Sequence, residues 1–125
     1  MRLFKTKWFS KFTKKQHIHD KQLIAAIKDI QAGKIDADLG GGLIKQRFAR
    51  QGEGKSGGYR SILVYSQNDK AVFLYGFAKN ERDNLSPLEE REYKAFAKIV
   101  LGFTEDKVDK LVENGAWQEI TDDDS

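Results

Sequence analysis

The residues best able to do chemistry crowd between Gly40 and Arg60. They read Gly40-Gly41-Gly42-Leu43-Ile44-Lys45-Gln46-Arg47-Phe48, then Gly52-Glu53-Gly54-Lys55-Ser56-Gly57-Gly58-Tyr59-Arg60. Lys45 and Arg47 are two apart on a predicted strand, so their side chains point the same way. Ile44 and Phe48 take the other phase, which gives one cationic and one apolar face. The Gly54-Lys55-Ser56 triplet ends as a phosphate-binding P-loop ends. That motif needs another glycine five positions earlier, where Ala49 stands, and it opens a helix, whereas a strand follows here. The stretch reads instead as a hairpin connection whose backbone amides and Lys55 can approach phosphates closely.

Other chemistries find few parts. There is no cysteine, so thiolate nucleophiles, disulfides and Cys-ligated zinc are excluded. The two histidines, His17 and His19, have no evident third metal ligand beside them, and no metal or cofactor is expected. Glu89, Glu90 and Glu92 look like helix-start charges. Clustered Lys and Arg do suit one reaction. The 2′-hydroxyl of RNA can attack its own adjacent phosphorus, provided the protein orients it and handles two protons. Fixed cations meet the charge that develops on the phosphorane. Crowded cations also lower one another's pKa, which lets a lysine exchange protons. Tyr59, Tyr65 or Tyr93 can stack on a base or move a proton. The expected centre joins Lys45, Arg47, Lys55, Arg60 and Lys79 at one edge of a sheet. Gly54, Ser56, Gly57, Tyr59, Asn80 and Tyr93 are expected to contact RNA.

The elements that must position these groups follow from pattern. Arg2 to Lys5 can open as a short strand. Trp8, Phe9 and Phe12 have helical spacing among Lys7, Lys11, Lys14 and Lys15. Asp20 is expected to cap a second helix with the stripe Leu23, Ile24, Ile27 and Ile30, ending at Gly33. Residues 35–39 read as a connector. Three strands follow, around residues 43–48, 59–65 and 71–77, as an antiparallel meander. Ser86-Pro87 with Glu89 starts a third helix, whose stripe is Tyr93, Phe96, Ala97, Val100 and Leu101. Thr104 caps a fourth that ends near Gly115. The predicted fold is α+β, with helices over one face of a small antiparallel sheet and the opposite face open. Residues 1–115 read as one domain and 116–125 as an acidic tail.

Bulk properties agree. The 125 residues fit one domain. Net charge is +3, unevenly spread: 14 Lys/Arg against 5 Asp/Glu in residues 1–60 (+9), and 8 against 14 in residues 61–125 (−6). A polyanion would be drawn to the first half. No apolar run reaches the ~20 residues of a membrane helix, and the cysteine-free composition fits the cytoplasm.

Gly40 to Arg47, then Gly52-x-Gly54-Lys55-Ser56-Gly57-Gly58-Tyr59-Arg60, then Gly76-Phe77-Ala78-Lys79-Asn80 together resemble the RelE/HigB-like toxins of bacterial toxin–antitoxin pairs. The Gly-Lys-Ser-Gly-Gly-x-Arg loop is similar to that of the HigB-type branch. The likeness covers roughly residues 3–102. It implies helices on a twisted antiparallel sheet and metal-free cleavage of messenger RNA, usually on the ribosome. It also implies a cognate antitoxin, often a helix-turn-helix protein. By that likeness Lys45, Arg47, Lys55, Arg60 and Lys79 are the active-face residues, with Asn80 and Tyr93 secondary. Two other readings keep the basic face: a non-catalytic nucleic-acid-binding regulator, and a gyrase inhibitor of the ParE kind, which shares the fold.

Overall fold

The computed structural model describes residues 1–49 and 58–121. In chain order the described residues form β1 (Arg2–Thr6), α1 (Lys7–Gln16), α2 (Asp20–Gln31), β2 (Ala37–Gly40), β3 (Leu43–Phe48), β4 (Tyr59–Ser66), β5 (Lys70–Ala78), α3 (Pro87–Leu101), α4 (Glu105–Glu113) and β6 (Trp117–Ile120).

Local chemistry sets the boundaries. The Thr6 hydroxyl accepts the Phe9 N–H at 3.2 Å and starts α1 directly from the end of β1. At α3 the Ser86 hydroxyl accepts the Glu89 N–H at 3.1 Å, and the Glu89 carboxylate accepts the Ser86 N–H at 2.8 Å. This reciprocal cap, with Pro87 next, is the helix start that the sequence predicts. Thr104 caps α4 as expected. The cap of α2 is His19, one residue before the expected Asp20, which instead supplies an acid to the first turn.

The sheet order is β2-β3-β4-β5-β1-β6. The expected meander is there, with β3–β4 and β4–β5 antiparallel. Several features differ from expectation, among them the edge strand β2, which forms where a connector is expected. In addition, β1 pairs parallel to β5, so the sheet is mixed. Helices also cover both faces. On one side α1 and α2 bury Phe9, Leu23 and Ile27 against Ile44, Leu63 and Phe73. On the other, α3 and α4 bury Ala97, Val100 and Val108 against Leu43, Ile62, Val64 and Val72. Alternation along each strand makes both faces apolar, so each needs a cover.

The segment from Trp117 to Ile120 belongs to the sheet rather than to a tail. As β6 it pairs antiparallel with β1 and buries Trp117 and Ile120. The Arg2 guanidinium fastens it there, meeting Glu119, Glu105 and Asp109 at 2.9–3.0 Å. Those carboxylates, Glu119 foremost, hold the Arg2 pKa above its ordinary value. Residues 122–125, the acidic end noted above, lie outside the described residues.

Gly42 shows why glycine ends the β2–β3 turn. Its φ is +85°, and a Cβ there would come within 2.7 Å of Leu101 Cδ1 at the end of α3. Gly42→Ala is expected to lower stability by about 1–2 kcal/mol, from the left-handed backbone and the displaced leucine. Urea unfolding measures it.

Candidate nucleic-acid interface

The cationic face is built by register. Arg47 on β3 lies directly opposite Arg60 on β4, and Arg60 lies opposite Phe77 on β5. One row along, Lys45 is opposite Ile62, which is opposite Tyr75. Ile62, Tyr75 and Phe77 all pack with the α3-side core. Both rows therefore share that face, toward the ends of β3 and β5. Lys79 follows β5 at the same end, where its N–H donates to Gly58 O at 3.2 Å. The structure thus brings Lys45, Arg47, Arg60 and Lys79 to one end of the sheet. Asn80, next to Lys79, is exposed. Lys55, Gly54, Ser56 and Gly57 lie outside the described residues.

The cations are not bare. The Asp36 carboxylate accepts from Arg47 Nε through Oδ1 and from Arg60 Nε through Oδ2, each at 3.3 Å. The side chains of Asp36 and Arg60 are 10% and 12% exposed, that of Arg47 42%. Two like charges opposed across a ladder repel, and the shared carboxylate offsets this. A guanidinium carries five N–H donors, so a grip through Nε engages only part of each. Gln46, between the two cations in sequence, points the opposite way. Its side chain accepts the Asp36 N–H at 2.9 Å and donates to Lys34 O at 2.8 Å, which fixes the segment carrying Asp36.

The loop after β5 adds groups the sequence reading passed over. Lys45 Nζ donates to Asn84 Oδ1. The Arg82 guanidinium sits 5.3 Å from the Phe77 ring centroid and 6.0 Å from that of Tyr75, and it pairs with Glu89. The Arg82 hydrogen bond, reinforced by the Ser86 backbone, lowers the Glu89 pKa to about 2. Its folded value is thus below its unfolded one. The stabilisation is present above about pH 4.5 and is lost as pH falls toward 2. With both side chains about a third exposed, it amounts to about 0.5–1 kcal/mol. Glu89→Gln is expected to lose that much at pH 7 and to flatten acid unfolding across this window, followed by urea midpoints against pH.

The tyrosines separate. Tyr93 on α3 is half-buried, with its ring 5.8 Å from that of Tyr75. Burial, then the neighbouring Tyr75, raises its pKa to about 12, so it holds its proton at neutral pH. Tyr59 does not face the cations. It is 2% exposed on the α1/α2 side, stacks on Phe48 and donates to Gln16 Oε1 at 2.9 Å. Its neighbour Arg60 takes the other face because strand side chains alternate. Tyr65 packs with that same α1/α2-side core. His17 and His19 are exposed at helix ends. Among the described residues no three His, Asp or Glu side chains converge as a metal site. Among them, too, no helix is long and apolar enough to cross a membrane.

A family model described as the RelE toxin of the RelE/RelB toxin–antitoxin system matches residues 1–120, a span that includes β6. No curated protein and no solved structure matches the chain.

Proposed function

The chain belongs to the RelE toxin family, and from that premise we propose that it cleaves messenger RNA at the cationic end of the sheet, on translating ribosomes. Members of this family are toxins paired with a cognate antitoxin and are generally ribonucleases. The observation that carries the reading is the facing pair Arg47 and Arg60, aligned by one carboxylate on the α3 face.

The reaction needs no group beyond the side chains and the RNA. The 2′-oxygen attacks the adjacent phosphorus and its proton passes to a base. The P–O5′ bond breaks and the leaving 5′-oxygen takes a proton. Products are a 2′,3′-cyclic phosphate and a 5′-hydroxyl. Donors of Arg47 and Arg60 not engaged by Asp36 meet the phosphorane oxygens, and Lys45, Lys79 and Lys55 add positive charge. Tyr93, with its ring 5.8 Å from that of Tyr75, suits a stacking role, and its raised pKa makes it a weaker proton donor than an ordinary tyrosine. The Gly-Lys-Ser-Gly-Gly stretch supports the HigB-type branch and a helix-turn-helix antitoxin.

Purified protein added to a translating extract is expected to give messages with defined new 5′-hydroxyl ends. On ribosome–message complexes assembled beforehand, the cleavage rate should not vary with Mg²⁺ concentration over the range that keeps the ribosomes intact. Intact messages with gyrase-dependent DNA breaks would favour the ParE-like alternative. Binding to RNA without cuts would favour the non-catalytic regulator. A strict requirement for an exchangeable metal would remove the metal-free mechanism.

A further inference from the structure

We infer that Trp8 and Tyr75 form a stacking platform for an unpaired base of the RNA, at the edge of β5 where α1 begins. This rests on the RNA-cleaving reading and adds a base subsite to its cationic centre. The platform begins in the same row of the sheet as Lys45. Lys45, Ile62 and Tyr75 are successive register partners on β3, β4 and β5. With strands about 4.8 Å apart, Tyr75 stands about 10 Å across the sheet from Lys45.

Beyond Tyr75 the sheet stops. The pairing of β1 with β5 ends at Lys5↔Phe73, while β5 runs on to Ala78. Trp8, in the first turn of α1, fills the place a further strand residue would take. Its ring lies 4.6 Å from that of Tyr75 and stacks at 5.4 Å and 15° on Phe12. Phe12 is drawn close because Gly76 has no side chain: a Cβ there would fall 2.6 Å from Phe12 Cε2. Despite these contacts Trp8 remains 46% exposed. Trp8 is thus a large ring packed on two others with close to half its surface in water, open to a further ring.

The surroundings favour a nucleotide over an apolar peptide segment. Lys7 and Lys11 flank Trp8 on the exposed side of α1, and Arg82 lies by the Tyr75 ring on the other. The adjoining groove, about 470 Å³, is lined by Thr6, Leu74, Glu89, Glu92, Tyr93 and Phe96. Glu89 is engaged by Arg82. Glu92, exposed at the rim, is placed to accept from an exocyclic base amine. Cations along a strand path, with aromatic rings between them, are how single-stranded nucleic acid is held.

The test measures binding of a fully 2′-O-methylated octanucleotide, which cannot be cleaved, to the whole protein. Trp8→Leu is expected to weaken affinity roughly five- to a hundredfold, the range of one stacked base. Trp8→Phe should stay within about threefold of the wild type, because a ring is restored. The salt dependence of binding should not change, since no phosphate contact is lost. An abasic position that weakens wild-type binding should have no effect in Trp8→Leu. The inference is overturned if Trp8→Leu binds as the wild type does while Arg60→Gln binds weakly; the cationic reading then survives alone. It is also overturned if Leu and Phe are equally damaging, or if Trp8→Leu weakens only antitoxin binding. A wild-type protein that binds no oligonucleotide and cuts no message removes both readings together.

Discussion

Arg60→Gln is expected to slow message cleavage by about 10²–10³-fold, the loss associated with one well-placed donor to a developing oxyanion. Arg60 stands between Arg47 and Phe77 in the register, with only a small part of its side chain in water. It is far more enclosed than Arg47 and therefore less free to move when charge develops. The substitution also removes one of the two partners of a mostly buried carboxylate. That loss should cost about 1–3 kcal/mol of stability. The two effects can be separated. Asp36 keeps Arg47 as its counter-charge in this variant, so the fold should persist and the loss of cleavage can be read on folded protein. Message cuts in a translating extract and urea unfolding, read on the same preparations, give both quantities.

Asp36→Ala has the second large effect, and its signature is a split between binding and turnover. Without the carboxylate, Arg47 and Arg60 face each other across β3 and β4 with their repulsion offset only in part, by Asp83 at 3.9 Å from Arg60. Stability should fall by about 1–3 kcal/mol. The local potential becomes more positive, so RNA should bind more tightly at low salt and with steeper salt dependence. The guanidiniums lose their common anchor, and cleavage of bound RNA should slow about 10–10²-fold. Kd from oligonucleotide titration and the single-turnover rate check the two halves. If the rate rises along with affinity, Asp36 competes with the phosphate rather than aligning its partners.

Much of this centre is legible in the residues alone. Two-residue spacing puts Lys45 with Arg47, and the next strand opens with Arg60. Helix starts at Ser86 and Thr104 are written in cap chemistry, and they form where expected. The same alternation separates Tyr59 from Arg60, so the burial of Tyr59 on the opposite face follows from a rule already in use. Other features carry no local signal. Asp36 lies in a short connector, and its role depends on Gln46 holding that connector against β3. Arg82 sits in a run of mixed charge, Glu81-Arg82-Asp83, where only tertiary packing distinguishes it. The strand Trp117–Ile120 is four residues long with two polar positions, too short for periodicity to reveal. It forms because β1 offers an unpaired edge. Phe96 fits the apolar stripe of α3 by spacing, yet it is exposed at the groove beside Tyr93.

The cover on the second sheet face also bears on function. Helices α3 and α4 bury the rows at Leu43, Val64 and Val72 but leave Lys45 and Arg47 partly exposed on the same face. The start of α3, near Arg82 and Glu89, borders the cationic end. A strand of RNA along that border would meet guanidiniums on one side and the rings of Tyr75 and Tyr93 on the other.

The most direct measurement places a single 2′-deoxynucleotide immediately 5′ of the mapped scissile phosphate in an otherwise unchanged message. With no 2′-hydroxyl to attack, cleavage at that linkage should vanish, while the unmodified message yields a 2′,3′-cyclic phosphate and a 5′-hydroxyl. Cleavage that continues at the deoxy linkage, leaving a 5′-phosphate, would contradict the reaction assigned to Arg47 and Arg60.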